Sequence, residues 1–356
     1  MEQITLSKDN FIKTKPKFSK LKKEEFEKIF SLVSKYWPEI KIEKFYEIDQ
    51  KIEVLDSNSQ NYFLRTFDNN YFLLKRLNLN IDINVFLKQF FIQEWCSKKI
   101  NCVPKIIKNY KQEIISQSDY SRWVLMDYID GEFFTGKNLQ AYKGGKLVGE
   151  LHQCLKYLPN KMKPLKNRKT YFTTEEKLIF NNLITNENYW IYYFDSYFIQ
   201  KFKESKNTLM KLWKKLNEEN LFSNLETQVV HYDLHPLNMI FSRHKNVIID
   251  YGSINIATLE QALGFNLIKL TKRNLLNYPK REWQKVLHDV KKEWLSGLNN
   301  ALDAKLNFEY IVLLGQAETF RRFLSMVNKY IKQKSSVFNG PLIHLECLLL
   351  SEELKK

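Results

Sequence analysis

The stretch VVHYDLHPLNMIF at residues 229–241, followed by NVIIDYGSI at 246–254, constrains this chain more than any other part of it. Apolar, β-branched runs alternate with polar turns, so it reads as short strands that carry chemistry-bearing side chains on the loops between them. His231, Asp233 and Asn238 make an H-x-D-x-x-x-x-N pattern, and Asp250 lies twelve residues beyond Asn238. A lone D-x-x-x-x-N says little, because Asp and Asn are common in turns. The combination carries the weight: a strand before, a histidine at this offset, an apolar strand after, then Asp-aromatic-Gly.

Such an arrangement suits phosphoryl transfer, which needs little covalent help and much positioning of charge. Asp233 can accept the proton of an attacking hydroxyl. Asn238, through its amide oxygen, and Asp250, through its carboxylate, can ligate Mg2+, a hard ion that prefers oxygen donors and keeps several waters.

The remaining pattern supplies a frame. Helical period over 22–37 puts Phe26, Phe30 and Val33 on one face. From about Phe45 to Leu77, YEIDQKIEVL, NYFLRTF and YFLLKRL read as an antiparallel three-strand meander, punctuated by SNSQ and DNN. Residues 84–99 return to helix, with Leu87, Phe91 and Trp95 four apart, and Val103-Pro104 stops it. PKIIKNY and SRWVLMDYI are two further strands. Helices are then expected at 139–157, 173–186, 189–218, 258–275, 280–300, 308–333 and 341–354. The expected fold is therefore α+β and two-lobed. A small antiparallel sheet lobe spans 1–129 and holds the nucleotide; a larger, mainly helical lobe spans 130–356 and carries catalysis and substrate.

Composition excludes some functions. The formal charge of +16 invites a nucleic-acid reading. The lysines are spread along the whole chain, however, within a general richness in Lys, Asn, Ile, Phe and Tyr, and no nucleic-acid-binding signature accompanies them. Solvated surface charge is the expectation. No run approaches the roughly 20 apolar residues of a membrane helix, and MEQITLSKDNFIKTKPKFSK lacks the apolar core of a secretion signal. Cys96, Cys102, Cys154 and Cys347 are scattered, which fits reduced thiols in a cytoplasm. A cytoplasmic monomer or dimer, with neither nucleic acid nor membrane as partner, is expected.

In the first lobe, Lys75 closes the apolar run YFLLK, where a lysine would point from the sheet toward the cleft and neutralise nucleotide phosphates. Glu94 is the only acid in 84–99 and so the candidate to hold that lysine, with Gln89 or Gln93 as alternatives nearer the expected place. A phosphate-covering turn would fall at 56–61, where Ser57, Asn58 and Ser59 offer donors but no glycine. The adenine of ATP would meet backbone groups of the connector Met126, Asp127, Tyr128 and Ile129.

These residues resemble the aminoglycoside phosphotransferase and choline kinase family, which shares its fold with the protein kinases. The resemblance runs from about 45 to 275 and rests on HYDLHPLN and IIDYGS. NYFLRTF…YFLLK, VLMDYIDGE and the helix GKLVGELH, with Gly149, Leu151 and His152, support it. It implies that Asp233 is the catalytic base, that Asn238 and Asp250 bind magnesium, and that Lys75 contacts ATP. His231 would brace the loop and His152 pack against it. Two departures stand out: there is no Gly-rich loop, and Glu260 stands where the family often has a further Asp.

The implied activity is transfer of the γ-phosphate of ATP to a hydroxyl of a small molecule: an amino sugar or aminoglycoside, a sugar, or an amino alcohol such as choline. A kinase-fold binding module is the alternative. A protein kinase fits less well, since His-Tyr-Asp replaces His-Arg-Asp and no A-P-E element follows. A cationic acceptor could draw on Glu187 and Asp195, or on a cage of Tyr189, Trp190, Tyr193 and Tyr197, within ENYWIYYFDSYF; helical core is the expected role of those aromatics. The carboxyl-terminal helix pair, with AETFRRF at 317–323, could also line the pocket, where Arg321 and Arg322 would meet an anionic substrate group; solvated surface is their expected role.

Overall fold

The computed structural model describes residues 6, 17–49, 60–118, 121–137, 139–162, 172–217, 225–333 and 340–355. Its order begins β1 (Lys17–Ser19), α1 (Lys23–Tyr36), β2 (Ile42–Asp49), β3 (Asn61–Thr66), β4 (Tyr71–Leu77), α2 (Ile83–Ser97), β5 (Ile106–Ile107), β6 (Ser116–Ser118) and β7 (Ser121–Asp127). These strands form one antiparallel sheet in the order β1-β2-β3-β4-β7-β5, with β6 also on β7. The expected meander is its middle, with β2 at Ile42–Asp49, while residues 50–55 of the first expected strand lie outside the described residues. Turns at Asn69 and in the segment before β6 use positive φ at Asn69 and Gln112.

One sheet face packs on α1 through Val33, Trp37, Leu64, Leu74 and Leu125, the other on α2 through Phe90 with Leu77 and Val124. Sequence periodicity caught only part of the buried stripe on each helix, Val33 on α1 and the partly buried Leu87 and Trp95 on α2. On α1 the buried residues are Ile29, Leu32, Val33 and Tyr36, while Phe26 and Phe30 are exposed. On α2, Phe90 faces the sheet while Ile92 and Cys96 join the core of the helical lobe, and Phe91 is exposed. A helix sandwiched between two cores has two apolar stripes, which blurs a single i, i+4 pattern.

The second lobe continues with β8 (Glu132–Phe133), α3 (Gln140–Lys156), α4 (Thr174–Thr185), α5 (Ser196–Leu216), β9 (Thr227–His231), β10 (Met239–Phe241), β11 (Asn246–Ile248), β12 (Ile254–Thr258), α6 (Leu259–Leu275), α7 (Trp283–Asn299), α8 (Phe308–Gln333) and α9 (Gly340–Glu353). The expected helix at 189–218 begins only at Ser196, N-capped by Asp195, and short 3₁₀ turns cover Glu187–Tyr189 and Ile191–Tyr193. In the 229–254 island, β10 pairs with β11 and β8, and β9 pairs with β12. The α+β, two-lobed architecture is as expected. None of the described helices is long and apolar enough to cross a membrane.

Helix α8 lies unusually close to α6. A Cβ on Gly264 would sit 1.9 Å from the Ile311 carbonyl oxygen, and one on Gly315 would sit 2.4 Å from the Gly264 carbonyl carbon. Only a glycine pair permits that crossing. Two helical turns past Gly315, on the same face, α8 carries Arg322.

Candidate active site

The loop between β9 and β10 is closed by its own polar groups. Asn238 is buried; its Nδ2 donates to the Asp233 carbonyl at 2.8 Å, and its backbone N–H to the His235 carbonyl at 2.9 Å. The Ile249 N–H donates to the Asn238 carbonyl at 3.0 Å, joining this loop to the Asp250 turn. With the amide nitrogen engaged inside the loop, the side-chain oxygen of Asn238 remains the donor for a cation, and the residue lines the interlobe cavity. Asp250 adopts a left-handed backbone with φ of 64°, uncommon for a residue with a side chain and most often found where function over-determines the backbone. A Cβ at Gly252 would come within 3.2 Å of the Asp250 Oδ1, so the glycine keeps that carboxylate clear.

Both histidines flanking the loop are buried. His152 on α3 bonds the Val148 carbonyl through Nδ1 at 2.9 Å and accepts the His231 N–H at Nε2, 3.3 Å away. That pairing fixes a neutral ring: one nitrogen donates and the other accepts. Burial pushes the His152 pKa down to about 4. His231 accepts the Asp233 N–H at Nδ1, 3.4 Å away, and packs edge-on against Tyr251 at 5.7 Å. The expected bracing roles match these contacts.

A cavity of about 340 Å³ opens between the lobes. Its walls gather Lys75, the connector Met126, Asp127, Tyr128 and Ile129, and both Asn238 and Asp250. Asn61 lines it as well, whereas Ser57, Asn58 and Ser59 lie outside the described residues. Asn238 and Asp250 are oxygen donors, the chemistry a hard divalent cation takes when substrate phosphates complete its shell. Among the described residues no group of three His, Cys, Asp or Glu forms a closed metal cage.

Glu94 is not in this cavity. It pairs with Lys98 at 2.7 Å and Lys108 at 3.0 Å. Partial burial alone would raise its pKa, but the two lysines outweigh it and hold the carboxyl below the usual range. One residue is 100° of helix, so position 93 faces the cleft when 94 faces away. Gln89 and Gln93 line the cavity instead. Gln89 donates to the Gly252 carbonyl at 3.1 Å, tying α2 to the Asp250 turn, and Gln93 donates to the Pro104 carbonyl at 3.0 Å. The assignment of Glu94 as the lysine's partner is thus corrected in favour of the glutamine alternative.

Arg322 is the residue that sequence reading misplaced. Far from being solvated, its side chain is 17% exposed and meets Asp233: Nη1 lies 2.6 Å from Oδ1. Nη2 donates to the Tyr232 carbonyl at 2.9 Å and Nε to Glu318 at 2.6 Å, while the guanidinium sits 4.2 Å from the Phe265 ring centre. Glu318 is fully buried and also receives the Tyr232 hydroxyl at 2.7 Å and Arg321 through two bonds of 2.9 Å. So many donors are what a buried carboxylate requires. Burial would raise the Asp233 pKa, but the Arg322 charge outweighs it and holds the carboxyl well below its ordinary value. The second oxygen of Asp233 stands 4.0 Å from His235 Nε2. His235 is kept neutral by its own burial.

Trp190 is 1% exposed and donates to the Leu183 carbonyl at 3.0 Å, packed on Phe202 and Phe198. The aromatic cage is therefore not formed, and Trp190 is core.

Residues 93–264 match the model of the phosphotransferase enzyme family. No curated protein matches the chain in a sequence search. Among solved structures, a spectinomycin phosphotransferase in complex with ADP and spectinomycin superposes with a TM-score of 0.59 at 14% identity, covering 92% of this chain and 98% of its own. An amicoumacin kinase in complex with AMP-PNP and Ca2+ gives 0.59 at 13% identity, covering 94% of each chain. A choline kinase from Cryptosporidium parvum Iowa II gives 0.55 at 15%, covering 93% and 95%. The sequence match to the phosphotransferase enzyme family is thus confined to residues 93–264, while over most of its length the chain has the protein-kinase-like fold seen in aminoglycoside phosphotransferases and choline kinases.

Proposed function

We propose that this protein transfers the γ-phosphate of ATP to a hydroxyl of a small molecule, with Mg2+ as the accompanying cation. The observation that carries the reading is the meeting in one interlobe cavity of Lys75, Asn238, Asp250 and the connector 126–129, with Asp233 anchored to Asn238. Residues 1–129 serve the nucleotide and 130–356 the chemistry and the acceptor.

In this reading Lys75 and the connector hold the nucleotide. The N–H groups of Asp127 and Tyr128 already bond the Lys105 and Tyr71 carbonyls, so a purine edge would use the remaining carbonyls and the Ile129 N–H. Asn238 and Asp250 would hold the cation, which supplies charge neutralisation on the transferred group. Asp233 offers its second oxygen to the acceptor hydroxyl. The acceptor oxygen bonds to the γ-phosphorus, the bond from that phosphorus to the β–γ bridging oxygen breaks, and the hydroxyl proton passes to Asp233. Held ionised by Arg322, Asp233 is ready to orient that hydroxyl throughout the neutral range.

Asp233→Asn tests the assignment, because it keeps shape and removes the proton acceptor. ADP production against a panel of amino sugars, sugars and amino alcohols should fall by about 10²–10⁴, with ATP binding largely retained. Turnover close to wild type would remove Asp233 from this role.

A further inference from the structure

Arg322 stands beside Asp233, the carboxylate that the acceptor hydroxyl would meet in this reading, and its charge is fixed there from several sides. The Gly264–Gly315 crossing brings α8 in, Glu318 and the Tyr232 carbonyl orient the guanidinium, and Phe265 supports its face. Three carboxylates around it are committed. Asp233 is bound by Arg322, Glu318 by Arg321 and Arg322, and Glu346 by Lys272 at 3.1 Å in a pair with almost no exposure. The acids of the aromatic segment are engaged too, Glu187 with Lys203 at 2.9 Å and Asp195 as the cap of α5. An ammonium brought beside Asp233 would meet a carboxylate already neutralised and a guanidinium that repels it.

We propose that Arg322 is a specificity-determining residue, and that the acceptor of this enzyme is a neutral or anionic hydroxyl compound with no ammonium or quaternary nitrogen near the reacting hydroxyl. This rests on the kinase reading and narrows its acceptor. Arg322 has a second effect as a positioning residue: it occupies one oxygen of Asp233 and leaves the other to the hydroxyl.

The test uses acceptors matched in shape and different in charge: choline with its neutral carbon isostere dimethylbutanol, and glucosamine with glucose. Phosphoryl transfer from ATP is measured for each with wild type, Arg322→Met and Arg322→Lys. Wild type should favour the neutral member of each pair in kcat/KM. Arg322→Met uncovers the Asp233 charge and should move the ratio toward the cationic member by about ten- to a hundredfold, the scale of one charge at about 6 Å with an effective dielectric near 20. Arg322→Lys keeps the charge and should keep the wild-type preference, a rescue that a purely structural role would not predict. Preference of wild type for the cationic members, or a ratio unmoved in Arg322→Met, overturns the proposal. Glu318 keeps Arg321 and Tyr232 in either variant, and thermal melting verifies folding. ATP hydrolysis without acceptor, run on wild type and Asp233→Asn, reports the kinase reading separately.

Discussion

Acidification should unlock the histidine that supports the Asp233–Asn238 loop, and the size of the effect follows from its contacts. His152 is fully buried, with one ring nitrogen given to the Val148 carbonyl and the other to the His231 N–H. A proton added to Nε2 would lose its acceptor role and face an N–H donor. Burial accordingly lowers its pKa from an ordinary value near 6.5 to about 4. Between those values the unfolded chain binds a proton that the folded chain refuses, so stability falls as pH falls. A tenfold difference in proton affinity between the two states is worth about 1.4 kcal/mol, which gives roughly 3.4 kcal/mol for the complete titration and about 2.6 kcal/mol by pH 4.5. Against a typical total of about 5–15 kcal/mol that is a large part of the margin.

The variant His152→Gln isolates this contribution. Glutamine can still accept the His231 N–H through its amide oxygen, but it does not titrate. His231, His235 and His344 also have pKa values lowered by burial, and they remain in both proteins, so the difference between the two belongs to position 152. Urea denaturation at intervals from pH 7.5 to 4.5 should show the wild-type curve falling more steeply, the two separating by about 2–3 kcal/mol relative to their neutral offset. Parallel curves would refute the reasoning, since they would mean that His152 binds its proton equally well folded and unfolded.

Asp250→Ala should weaken the magnesium dependence of ATP binding, whereas Lys75→Ala should weaken nucleotide affinity with the magnesium titration unchanged in shape; identical behaviour in both titrations would void that division. Trp190→Ala should cost about 3–5 kcal/mol in thermal or urea unfolding, with no change in preference between charged and neutral acceptors. Gly315→Ala forces a methyl into the Gly264 backbone and should cost about 1–3 kcal/mol. Because it displaces α8, it should also loosen Arg322 from Asp233 and alter acceptor preference in the same sense as Arg322→Met, measured on the matched pairs.

What could be read in the sequence was what the chain builds locally. The Asp233–Asn238 loop closes through a bond between residues five apart, and the strands flanking it carry their own β-branched signature. Lys75 was legible for a similar reason, since its strand and the turn before it are contiguous. Glu94 was misassigned where local pattern has least power. Neighbouring positions on α2 differ by 100°, and the helix faces two cores, so no single apolar stripe fixed its rotation. Two glutamines took the cleft-facing places, and among the described residues no ion pair forms at Lys75.

Arg322 was illegible because the contact spans 89 residues and depends on how two helices cross. A signal was nevertheless present. A glycine inside a long helix costs about 1 kcal/mol relative to alanine, so Gly315 in the middle of α8 and Gly264 in α6 call for a packing reason. Close crossing is that reason, and it has a consequence for whatever lies two turns further along the same face. Glu318 and Arg322 are four apart there, a spacing that sets a carboxylate under a guanidinium before any tertiary contact forms. Tyr232, in the place between His231 and Asp233, then acquires a physical role. Its hydroxyl holds Glu318 and its carbonyl holds Arg322, so the loop and the distant helix specify one another. The charge at the centre of the site is thus decided by α8, outside residues 93–264, where two members of the same fold are free to differ.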